Sequence, residues 1–189
     1  MTSVSNVSGN VSTSAFIKFA IAFVLACCGY YISILMGGEA SLSSWIHAPF
    51  LGPAIFGGIQ WIFWVVLGKE LCGKYYGIVI ALLMAGFYLM VQPWFNIVSP
   101  TWYSIVGVIS AIVLGYLTEK YNGAVGLASF VIINWACFAG LAQYPTWSSA
   151  YTYSGLGIAF VLSIVSGYVG DIVAKYIAKY LKPHLESYL

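Results

Sequence analysis

The stretch Lys74-Tyr-Tyr-Gly-Ile-Val-Ile-Ala-Leu-Leu-Met-Ala-Gly-Phe-Tyr-Leu-Met-Val91 decides the fold. It carries a single charge, at its first residue, and stops before Gln92-Pro93. A run of about 20 apolar residues is long enough, as a helix, to cross a bilayer core. The pattern recurs on both sides. Residues 15–36 read as a first span, ended by Gly37-Gly38. Residues 51–68 read as a second, with Pro53 in its first turn, where a missing N–H is tolerated. After the third span at 74–91 come 101–118, 123–142 and 154–177. The expectation is an all-α integral membrane protein with six transmembrane helices. Residues 15–182 form its single domain.

Composition agrees. Of 189 residues, 61% are hydrophobic and 6% charged, against about 25% charged in soluble domains. Mean hydropathy is +0.92. Such a chain cannot cover its surface with polar groups, so its solvent is lipid. A net charge of +2 is too small for a nucleic-acid partner. Every basic residue is lysine, which argues against bidentate recognition of phosphate or carboxylate as the main task. Cys27, Cys28, Cys72 and Cys137 form no C-x-x-C and read as small packing residues.

The lysines orient the chain. Lys69 and Lys74 lie between spans two and three, and Lys120 between four and five. Lys175, Lys179 and Lys182 follow span six, and Lys18 opens span one. The other connections hold no lysine. Cytoplasmic loops carry the lysine excess, so both termini lie inside. Residues 1–14 lack the basic region of a secretory signal and read as a disordered cytoplasmic tail. Residues 183–189 read as a second cytoplasmic tail. Near the inner ends, Glu119-Lys120-Tyr121 and Lys175-Tyr176 look like interfacial anchoring. Asp171 and Lys175 are spaced to pair one helical turn apart.

Residues able to hold a ligand gather on the opposite side. The outward segments 37–50, 92–102 and 143–153 contain Trp45, Trp94, Trp102, Trp147, Tyr144, Tyr151 and Tyr153. They also contain Glu39, His47, Gln92, Asn96 and Gln143. Span five adds Asn134 and Trp135. An interfacial aromatic belt accounts for the rings alone. A pocket for a flat ligand accounts for the mixture of rings with amides and one carboxylate. Glu39 reads either as a solvated carboxylate or as the partner of a cationic ligand beside tryptophan faces. His47 caps such a pocket or faces solvent. Asn134 must face the bundle interior, because an unpaired amide in lipid is costly. On helix one, Ala22-x-x-x-Ala26 permits close helix contact, inside the bundle or with a partner.

Catalytic patterns are missing. The sequence has no H-E-x-x-H, no G-x-S-x-G and no G-x-x-x-x-G-K-[ST]. His47 and His184 fall on opposite sides, so they cannot share a metal. The reading is a non-enzyme without metal or cofactor.

Six spans, both ends inside, a long first outer loop, Ala22-x-x-x-Ala26 and the outer aromatics together resemble one family. It is the substrate-capture (S) component of energy-coupling factor (ECF) transporters, which import vitamins into prokaryotes. The resemblance covers residues 15–182 and rests on architecture and weak motifs. It implies an S-component-like bundle in the plasma membrane. It implies that residues 37–50 act as a lid and that Ala22 and Ala26 contact a membrane coupling subunit. Two cytoplasmic ATPases would then supply the energy. The run Gly52-Pro-Ala-Ile-Phe-Gly-Gly58 is similar to the thiamine or hydroxymethylpyrimidine type. Nickel and cobalt members start Met-His, whereas this chain starts Met1-Thr2. Two other classes stay open: a free-standing oligomeric transporter or channel, and a structural subunit of a membrane complex.

Overall fold

A computed structural model of the protein describes residues 5–35, 51–91, 101–141 and 153–185, with side chains over 13–35, 52–90, 105–137 and 153–185. The described chain is helical. Helix α1 is Ser5–Leu35. Helix α2 covers 51–72 and joins Leu51–Gly57, a π-helical turn Gly58–Ile62, and Phe63–Cys72. Then follow α3 (Tyr76–Val91), α4 (Thr101–Lys120), α5 (Gly123–Leu141) and α6 (Tyr153–Leu185). Helices satisfy their backbone polar groups internally, which hydrocarbon surroundings demand. The stretches Thr13–Leu35, Gly52–Cys72 and Tyr153–Leu185 are long and apolar enough to cross a membrane. Tyr76–Met90 and Gly123–Cys137 are shorter and also apolar.

Two boundaries differ from expectation. The segment read as a tail, 1–14, is helical from Ser5 onward. Helix α6 runs past residue 177, through Pro183, to Leu185. Pro183 sits in the last turn, so it forfeits one backbone bond rather than breaking a ladder. Leu185 packs on the core cluster, while Lys182 and His184 suit the negative end of the helix.

Helix α2 is the hub and packs against every other helix. Its contact with α6 is backbone on backbone. The buried face of α6 is Gly155, Ala159, Ser163, Gly167, Gly170, Asp171, Ala174 and Ala178. Small residues at this stepping admit a close partner. A Cβ on Gly58 would strike the Ser166 carbonyl, and one on Gly170 would strike the Gly58 carbonyl. The Ser166 hydroxyl accepts from Gly58 N–H at 2.9 Å and donates to the Ile55 carbonyl at 2.6 Å. A side chain inserted into the backbone ladder is a recognised cause of local helix distortion, and here it meets the π-turn.

The lysine-bearing end is tied by Glu119. Its carboxylate accepts N–H bonds from Tyr75 at 2.9 Å, Gly77 at 2.8 Å and Ile78 at 3.4 Å. A carboxylate from the end of α4 thus caps the start of α3. Lys69 donates to the Glu119 carbonyl at 3.2 Å. Tyr75 has φ of 75°, in the left-handed region disfavoured for bulky residues. The Glu119 bond to its N–H holds that turn. Lys120 lies over the Tyr116 and Tyr121 rings, and Lys175 pairs with Asp171 at 2.8 Å.

Candidate ligand site

The described interior gathers polar and aromatic side chains around the π-turn of α2. Gln60 and Trp61 lie within that turn. Gln60 is 1% exposed, and its Nε2 has no hydrogen-bond partner among the described residues. The backbone carbonyl of Gln60 accepts the Ser33 hydroxyl of α1 at 3.4 Å. Trp61 stacks on Tyr88 of α3, with centroids 5.7 Å apart and planes 12° from parallel. Phe130 of α5 meets Trp61 at 5.6 Å, and Tyr30 of α1 meets Tyr88 edge-on at 5.0 Å. Asn134, one turn beyond Phe130, is also 1% exposed.

Contacts between helices and within them account for these placements. The Ser166 insertion re-aims α2 at Gly58–Ile62, turning both Gln60 and Trp61 inward. Asn134 faces the interior, as its cost in lipid requires, but it bonds within its own helix. Its Nδ2 donates to the Phe130 carbonyl at 2.8 Å. Trp135 packs, partly buried, against the core cluster. The arrangement offers stacked rings, two buried amides and one amide N–H group in want of an acceptor. That chemistry suits recognition of a flat, hydrogen-bonding molecule. Among the described residues, no group of three His, Cys, Asp or Glu could hold a metal ion.

The other residues expected at a site are distributed as follows. Glu39, Trp45, His47, Gln92, Trp94, Asn96, Gln143, Tyr144, Trp147 and Tyr151 lie outside the described residues. Trp102 lies in the first turn of α4, with its side chain outside the described set. Ala22 and Ala26 are fully buried in the core of this chain. A partner reaching them would have to displace one of its own helices. Gln60, Trp61, Tyr88 and Phe130 were missed by sequence reasoning. One signal was available: Gln60 is a polar residue inside an apolar span, which is a functional hypothesis by default.

No protein family, no curated protein and no solved structure matches this chain.

Proposed function

We propose that this chain is a six-span membrane protein with both termini in the cytoplasm. It serves as the substrate-capture subunit of an ECF-type importer in a prokaryotic plasma membrane. Its ligand is a small aromatic vitamin or precursor, with thiamine and hydroxymethylpyrimidine favoured. A membrane coupling subunit and cytoplasmic ATPases drive uptake. The observation that carries the reading is the buried cluster around Gln60. An amide N–H group without a partner costs about 1–3 kcal/mol in a dry interior. Function is the ready reason to keep such a group beside stacked aromatic rings. The outer segments, rich in Trp and Tyr, would complete the site from above.

Titration calorimetry and tryptophan fluorescence on the purified protein test this directly. Thiamine or hydroxymethylpyrimidine should bind and quench Trp emission. Purification from native membranes should also bring down ATPase subunits. Absence of binding to thiamine, pyrimidine and flavin compounds defeats the vitamin reading. Transport into liposomes without any ATPase supports the free-standing transporter instead.

A further inference from the structure

The winding of α2 places the Gln60 side chain. Gly58 abuts Ser166 and Gly170 of α6. Ile59 is 49% exposed and borders an apolar groove with Ile32 of α1 and Val169 of α6. Trp61 meets Tyr88 of α3 and Phe130 of α5. Ile62 lies where a Cβ on Gly123 of α5 would fall. Successive helical residues step around the axis by about a quarter turn, always in one sense. Gln60 therefore falls between Ile59 and Trp61, on the side facing α1 and α3. The bond from the Ser33 hydroxyl to the Gln60 carbonyl agrees, because it brings α1 to that side. A row of rings stands there too. Tyr30 of α1 meets Tyr88 edge-on, and Tyr88 stacks on Trp61.

The charges within reach decide what the buried amide can meet. Among the described acids, Glu70 lies ten positions beyond Gln60 on α2, roughly 15 Å at the helical rise. Glu119 bonds α3 at Ile78, ten positions before Tyr88. Asp171 is neutralised by Lys175 at 2.8 Å. Lys69 is nine positions from Gln60, and Lys18 is twelve from Tyr30. No described group thus offers a counter-ion of either sign. Burying a charge without one costs far more than contact with ring faces returns. The amide N–H group also presents the positive end of its dipole, which repels a cation and attracts a lone pair.

We propose that the inner site takes an uncharged heteroaromatic ring and reads it through a ring acceptor, a nitrogen lone pair or a carbonyl oxygen, bonded by Gln60 Nε2. This rests on the capture role and narrows its ligand by charge and by hydrogen-bond sense. Nε2 is enclosed in this arrangement, so entry of the ring displaces part of the Tyr30–Tyr88–Trp61 row.

Calorimetry on the purified full-length protein tests it with three probes. They are hydroxymethylpyrimidine, its benzene analogue with CH for both ring nitrogens, and its N-methylpyrimidinium cation. Wild type should bind hydroxymethylpyrimidine at least tenfold more tightly than either of the others. Gln60→Leu should bind it no more tightly than the benzene analogue, whose own affinity stays within twofold of wild type. The saturating tryptophan quench by hydroxymethylpyrimidine should fall at least twofold in Trp61→Phe. The wild-type comparison needs no variant, so it decides even where a substituted protein does not fold. Equal binding of the three probes, preference for the cation, discrimination kept in Gln60→Leu, or an unchanged quench in Trp61→Phe overturns this inference and leaves the capture role standing. No binding of any of the three also overturns it. No binding of thiamine or flavin compounds as well overturns the capture role with it.

Discussion

Gln60 sets stability against recognition. Its side chain is buried and, among the described residues, Nε2 is unpartnered, so the folded protein carries a desolvation cost there. Replacing it with an apolar residue of similar length removes that cost. Gln60→Leu should therefore raise thermal stability in detergent, by about 1 kcal/mol. The same change should weaken thiamine or pyrimidine binding at least tenfold by calorimetry. A purely structural Gln60 would show loss of stability with no separate loss of affinity. Glu119 has the opposite character, because all its investment is returned. It accepts backbone N–H bonds from Tyr75, Gly77 and Ile78 and opposes the α3 dipole with a full negative charge. Glu119→Gln keeps the shape but loses the charge and one acceptor oxygen. It should cost about 1–2 kcal/mol, seen as a lower unfolding midpoint, with ligand affinity unchanged in the protein that remains folded.

At the scale of the element, α2 is defined by what enters it. The Ser166 hydroxyl satisfies Gly58 N–H and the Ile55 carbonyl where the π-turn begins. Ser166→Ala strands both groups and should cost about 2 kcal/mol. Faster hydrogen exchange at the Gly58 amide would mark the site of the loss. The sequence displayed the helices of this bundle but not this joint. Apolar run length is a local property, and so are the lysines that punctuate it, which is why the helices lie where the spans were read. Residues such as Ser166 and Glu119 act on a different helix. Their partners lie 108 and 44 residues away in the chain, and nothing local announces them. The small-residue face of α6 was hidden for a related reason. Gly167 and Gly170 become part of a close-packed face only once Gly123 of α5 and Gly58 of α2 supply the surfaces they meet. Ala22-x-x-x-Ala26 was visible as a motif, yet only packing could place it in the core of this chain. Most of the expected site lies outside the described residues, and the fold adds Gln60, Trp61, Tyr88 and Phe130 as candidates beside Asn134.

At the scale of the whole molecule, the distribution of lysines between the two ends of the helices ties these readings together. Lys69, Lys74 and Lys120 meet at one end, where Glu119 ties α2, α3 and α4. The turn 73–75 joins α2 to α3 there, and the short link 121–122 joins α4 to α5. The longer connections, 36–50, 92–100 and 142–152, leave the opposite helix ends and contain no lysine. Short basic links at one set of helix ends, and lysine-free sequence following the other set, are what the positive-inside rule turns into an orientation. The prediction is therefore a labelling pattern. In a background with Cys27, Cys28, Cys72 and Cys137 replaced by alanine, a cysteine introduced by Lys74→Cys should resist membrane-impermeant maleimide in intact cells. It should react once the membrane is permeabilised. A cysteine introduced by Glu39→Cys should react in intact cells. The reverse pattern would put the aromatic segments in the cytoplasm. Uptake from outside would then have no capture site, whatever the purified protein binds.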